Sequence, residues 1–149
     1  MRSFVWLFLV LTACGPTPTT GNATLFFAMS SDAKASPKLV SPAFGKFVGN
    51  VYRFEDVNET GPLTGATSVA AVELADVDLR SKMATQVAAQ TVETVDLAPG
   101  KYVALGFLDV NASGVMDAGD PVTAGLTNQF VVAAGKSTKR TVLLERVSE

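Results

Sequence analysis

The 149-residue chain reads as an all-β protein, an antiparallel β-sandwich of about seven strands. Three observations predict this. Residues 22–147 are rich in Val, Thr, Ala and Phe, and β-branched and aromatic side chains pack well on a pleated surface. Turn residues cluster between the apolar runs, from Asn58 to Gly65, Ala98 to Gly100, Asn111 to Pro121 and Ala133 to Lys136, which is the punctuation of short strands. A segment of this length buries a proper core without disulfide or metal staples.

The strands are expected, in order, near Thr24–Met29, Lys46–Glu55, Ser68–Leu79, Thr85–Leu97, Lys101–Leu108, Thr127–Val132 and Thr138–Arg146. In Lys46–Glu55, Val48, Tyr52 and Phe54 share one side and Asn50 interrupts it. Lys101–Leu108 is apolar on both alternating faces, which suits a central strand. Between residues 69 and 90 the sequence supports two readings. The Ala-rich run Met83–Gln90 also fits a helix, with Met83 and Val87 one turn apart. One short helix packed on the sheet is the alternative there.

Ahead of this domain, a single basic residue, Arg2, precedes an apolar run from Phe4 to Leu11, and small residues follow. That is the plan of a secretory signal. As a helix the run would reach only ~12 Å, against a hydrocarbon core of ~30 Å. The run ends in Leu11-Thr12-Ala13-Cys14, which resembles the lipobox of bacterial lipoproteins. The resemblance implies that Cys14 receives a diacylglycerol on its sulfur and becomes the mature N-terminus. Residues 1–13 are then a signal peptide, and residues 14–21 a lipidated Cys with a Pro/Thr linker. The competing reading is an ordinary cleaved signal with a chance Cys. Several acyl chains anchor stably where one does not, so the membrane is an expected partner through Cys14. Gly15 stands where Gram-negative lipoproteins retained at the inner membrane carry Asp. The resemblance therefore implies an outer-membrane protein, facing the periplasm or the surface. The linker alternates Pro and Thr, favouring an extended backbone with a reach of roughly 20 Å.

Composition narrows the chemistry. With no His, Ser-His-Asp and Cys-His nucleophile systems and His-ligated zinc are excluded. One Cys excludes an intrachain disulfide framework. A formal net charge of -2 without a concentrated basic surface argues against a nucleic-acid partner. Glu73, Asp76 and Asp78 are read as the solvated face of a strand, and Lys136, Lys139 and Arg140 as a guard on an edge strand.

Residues 109–120, Asp-Val-Asn-Ala-Ser-Gly-Val-Met-Asp-Ala-Gly-Asp, carry the most specific pattern. Their spacing resembles the twelve-residue calcium loop of EF-hands, with oxygen ligands at alternate places and Gly sixth for the sharp turn. The resemblance assigns the side chains of Asp109, Asn111, Ser113 and Asp120, the carbonyl of Val115, and Asp117 directly or through water. The chemistry suits calcium, a hard cation that takes six to eight oxygens and neutralises carboxylates that would otherwise repel. Two departures stand out. The closing residue is Asp120 rather than Glu, and the loop follows a strand rather than a helix. Leu97-Ala98-Pro99-Gly100-Lys101-Tyr102, together with the loop and Pro121, also resembles transthyretin-like or B-type bacterial surface domains. The resemblance implies a sandwich, transthyretin-like or Ig-like, in which calcium is structural. The competing reading is a metal-free polar turn, since Asp, Asn, Ser, Gly and Pro collect in any exposed turn.

The expected function is a lipid-anchored cell-envelope binding or structural module, stabilised by calcium, with an envelope protein or glycan as partner and no catalytic residues. The alternatives are a carboxylate-dependent envelope enzyme and an accessory subunit of an envelope complex. Small size, the lack of His and the loss of Trp6 with the signal weigh against the enzyme.

Overall fold

The computed structural model describes residues 17–40, 42–81 and 86–149. Cys14, with the rest of the signal and lipobox, lies outside them, as do Met83 to Thr85.

The chain is an all-β protein, as its sequence predicts. Its strands are β1 (Asn22–Met29), β2 (Phe44–Arg53), β3 (Val57–Asn58), β4 (Gly61–Pro62), β5 (Ala70–Asp78), β6 (Thr91–Glu93), β7 (Gly100–Asp109), β8 (Pro121–Thr123), β9 (Gln129–Val132) and β10 (Ser137–Val147). Apart from the small β3–β4 hairpin, they form one sheet in the order β5-β2-β7-β8-β10-β1-β6, with β9 also on β7. The sheet curls until its two halves face each other. Phe27 on β1 and Phe47 on β2 lie far apart in strand order, yet their ring centroids are 4.5 Å apart across the core. Leu25, Val51, Val72, Tyr102, Leu108, Val142 and Leu144 fill the same core.

The expected purely antiparallel arrangement needs correction, because the sheet is mixed. β1 runs parallel to β10 from Asn22↔Ser137 to Met29↔Leu144. Parallel neighbours need a long connection, and here it is almost the whole chain between the first strand and the last. β10 pairs with β1 from Ser137 to Leu144 and with β8 only from Leu144 to Val147, so Lys139 and Arg140 lie where β10 has a strand partner on one side. Arg140 donates from Nη2 to the carbonyl of Thr127 at 2.6 Å.

Periodicity explains most boundaries. β1 alternates half-exposed and buried residues until Phe27, Ala28 and Met29, which are all buried. In β2 the buried set is Phe47, Gly49 and Val51, the face opposite Val48 and Tyr52. Gly49 and Gly106 pair across β2 and β7, and the Phe47 ring covers both. A Cβ on either would fall within 2.8 Å of that ring and 2.4 Å of a backbone oxygen, so only glycine allows this approach. β7 is buried on both faces at Tyr102, Val103 and Ala104, as its sequence predicts for a central strand. Tyr102 turns its hydroxyl back to donate to the carbonyl of Ala98 at 2.7 Å, the tyrosine-corner device of Greek-key sandwiches.

Ala70–Asp78 is strand, and the α-helical turn lies elsewhere, at Ser31–Ala35. Ser30 caps that turn by accepting from the Ala33 amide at 3.1 Å, and its own hydroxyl donates to the carbonyl of Glu145. The strand expected over 85–97 is regular only at Thr91–Glu93. The segment nonetheless follows β1, through Ala88 N–H to Phe27 O, Thr94 N–H to Ala23 O and Leu97 N–H to Gly21 O. Gly21 and Thr20, at the end of the expected linker, are hydrogen-bonded to the domain at Leu97 and Gly135.

Candidate functional site

The 109–120 loop springs from the end of β7 and returns at the start of β8. Two strand ends therefore hold it. Asp109 is the last residue of β7, in register with Lys46 of β2, and Asp120 directly precedes Pro121, which pairs with Val147 of β10. Between them the backbone bends through the left-handed region at Ala112 (φ 58), Gly114 (φ 80) and Gly119 (φ 100). Gly114 is the sixth residue of the loop, where glycine makes such a turn without steric cost.

All six sequence-assigned residues lie in this one loop, in two tiers. The inner tier is Asp109 and Asp120, only 4% and 1% exposed. Asp109 accepts the amides of Ser113 at 3.1 Å and Gly114 at 2.9 Å, one on each carboxylate oxygen. Asp120 accepts the amides of Val110 at 3.2 Å and Asp117 at 2.9 Å in the same way. Asp109 thus holds the middle of the loop, and Asp120 ties its start to its end. The outer tier is Asn111, Ser113, Val115 and Asp117. Asn111 Nδ2 donates to Asp117 Oδ2 at 3.0 Å, its Oδ1 accepts the Ser113 amide, and Ser113 Oγ accepts the Val115 amide at 3.3 Å. Hydrogen bonds from Ser113 and then Asn111 hold the Asp117 carboxyl below the usual carboxylate range.

The inner tier is unusual electrostatically. Aspartate is almost never fully buried unless paired. The ion pairs among the described residues are Lys38–Glu149, Lys46–Glu73, Arg53–Glu55 and Arg80–Asp78; none includes Asp109 or Asp120. Each of their four carboxylate oxygens accepts one backbone N–H, which leaves further lone pairs on every one. Among the described residues no three Asp, Glu or Cys side chains gather closely enough to form a ready-made metal cluster.

One residue at this site carries no local sequence signal. Ser148 follows β10 and lies against the end of the loop. Its amide donates to the Asp120 carbonyl at 2.9 Å and its carbonyl accepts the Gly119 amide at 3.1 Å. Its hydroxyl donates to the Asp117 carbonyl and accepts the Asp120 amide.

The other acidic residues do not join this loop's hydrogen-bond network. Glu73 pairs with Lys46 at 2.5 Å. Asp78 is bound through both carboxylate oxygens by Arg80, whose side-chain and backbone hydrogen bonds pull its pKa down to about 2. Asp76 has φ 57 and sits where the β2–β5 register shifts, a bulge that turns it outward to solvent. The main grooves are open ones. One, of about 500 Å³, is floored by Met29, Leu39, Ala43 and Leu79, with Lys34 and Arg80 at its rim. No family model, curated protein or solved structure matches the chain.

Proposed function

We propose that the chain is a lipid-anchored module of the bacterial cell envelope, binding or structural rather than catalytic, whose 109–120 loop takes a calcium ion as a brace. One observation carries the metal part of this reading. Two aspartates, Asp109 and Asp120, are buried at the two ends of one loop, and neither belongs to an ion pair among the described residues. A hard divalent cation supplies the missing charge, and buried charges are either paired or bound to metals. The donor chemistry suits a hard cation, because the Asp109, Asn111, Ser113, Asp117 and Asp120 side chains and the Val115 carbonyl each carry an oxygen.

The anchor rests on Leu11-Thr12-Ala13-Cys14. Acyl chains on Cys14 hold the chain to the outer membrane, facing the periplasm or the surface. The partner is an envelope protein or glycan.

The test is calorimetric melting of the full-length protein in detergent, in chelator and in millimolar calcium. At a hundred times its dissociation constant, an ion that binds only the folded state stabilises it by about 2.7 kcal/mol. For a domain of this size that is several degrees in melting temperature. Coincident melting curves in the two buffers would leave the loop an ordinary polar turn.

A further inference from the structure

We infer that the domain stands on the membrane on one end, through the turn at residues 133–136, and presents the 109–120 loop and the main apolar groove at the opposite end. The inference rests on the lipoprotein reading above. A long flexible linker would let the domain take any attitude to the bilayer. Much of the linker is instead part of the domain. The Thr20 carbonyl accepts the Gly135 amide at 2.7 Å. Gly21 donates to the Leu97 carbonyl at 2.9 Å and accepts the Leu97 amide at 2.7 Å. The Pro18 ring lies on Gly135, where φ is 67 and a Cβ would fall 2.6 Å from Pro18 Cγ. Cys14 stands four residues before Pro18, and at ~3.6 Å per residue the chain between them spans at most about 14 Å. Acyl chains on Cys14 therefore keep the 133–136 turn close to the lipid headgroups.

Strand directions fix the rest. β1 and β10 both leave the anchored end, at Asn22 and Ser137. β7 starts there too, with Gly100 in register with Val132 of β9. It runs to Asp109, about 30 Å along the strand at ~3.3 Å per residue, and the 109–120 loop begins there. At that far end Asp109 stands beside Lys46, and Asp78 at the end of β5 beside Phe44. Leu79 follows Asp78, and β1 ends at Met29. The groove floored by Met29, Leu39, Ala43 and Leu79 thus opens at the same end as the loop. Charge does not set this attitude, because Lys136 and Asp96 are both exposed at the anchored end. The covalent tether sets it. An envelope partner then meets the domain from the side away from the bilayer.

The experiment places full-length lipidated protein in vesicles of phosphatidylethanolamine and phosphatidylglycerol that carry a nitroxide on the headgroup. Cys14 is the one cysteine of the chain, and its sulfur is taken up by the lipid. Ala134→Cys and Met116→Cys therefore each give a single free thiol for a fluorophore, and both positions are exposed. Quenching by the headgroup nitroxide is expected to be severalfold stronger at residue 134 than at residue 116. Equal quenching at the two positions, or stronger quenching at residue 116, overturns the inference. A Gly/Ser spacer of about ten residues inserted after Gly15 adds a mean reach of roughly 18 Å, and it is expected to weaken quenching at residue 134. Unchanged quenching there means that the short tether does not hold the turn at the surface, and this too overturns the inference. A Cys14 that mass spectrometry finds without acyl chains overturns instead the lipoprotein reading on which it rests.

Discussion

The side chain of Asn128 pairs with both backbone groups of Leu143. Its Nδ2 donates to the Leu143 carbonyl at 3.0 Å, and its Oδ1 accepts the Leu143 amide at 2.7 Å. The Asn128 carbonyl meanwhile accepts the Ala104 amide at 3.2 Å. One fully buried residue therefore stitches β10 to β7 where no strand runs between them. Removing it leaves two half-buried backbone groups of Leu143 unsatisfied. Asn128→Ala is expected to cost about 2–4 kcal/mol, read as a fall in the urea midpoint with an unchanged slope. A loss below ~1 kcal/mol would mean that water replaces the amide there.

The glycine pair under Phe47 sets a second expectation. A Cβ on Gly106 would fall 2.4 Å from the Val48 carbonyl oxygen and 2.7 Å from the Phe47 ring. The oxygen belongs to the backbone and cannot swing aside. Gly106→Ala should lose about 1–3 kcal/mol through overpacking, although alanine suits a strand better than glycine in general. Thermal denaturation against the parent measures it, and a stabilised variant would show that β2 and β7 can separate without cost.

On the proposed calcium reading, the two tiers of the 109–120 loop predict different losses. Asp109→Ala deletes a buried carboxylate and the acceptor for the Ser113 and Gly114 amides. It should abolish most of the calcium-dependent rise in melting temperature and also lower stability in chelator. Asp117→Asn changes an outer residue and should remove less of the calcium effect. Equal losses in the two variants would contradict the tiered arrangement.

The Asp78–Arg80 pair sets a dependence on pH. The folded carboxyl titrates at about 2, below the ~3.9 of an unfolded aspartate. Its contribution to stability is thus present above about pH 4 and is lost as pH falls towards 2. Because the pair is exposed, the effect is small and screened by salt. Urea midpoints measured between pH 5 and pH 2 should fall more steeply for the parent than for Asp78→Asn. Parallel curves would show that the pair contributes nothing.

The proposed anchor depends on a single atom. On that reading Cys14→Ser removes the sulfur that would carry the lipid. The variant is expected to leave the detergent phase in phase partitioning and to remain uncleaved before residue 14. Membrane partitioning as strong as that of the parent would refute the lipoprotein reading.

Strand content and the position of the candidate loop were legible in the sequence because both are local. Alternating burial along β1 and the two-faced apolar run of β7 are properties of successive residues. Oxygen donors at alternate places of residues 109–120 likewise belong to one continuous stretch, and Gly114 marks its turn. Three features had no local signature. The parallel pairing of β1 with β10 joins residues more than a hundred positions apart, such as Asn22 with Ser137. Hydrophobic alternation says which face of a strand is buried, not which neighbour it takes. Asn128 falls inside the strand expected at Thr127–Val132, and only packing between β7 and β10 makes its side-chain amide a substitute strand. Ser148, one residue past the expected end of the domain, becomes part of the loop because the β8–β10 register delivers it beside Asp120. Short-range patterns specify conformation and donor chemistry. The long-range ladders decide which distant backbone groups meet, because many pairings satisfy the same alternation and only the closed core selects one.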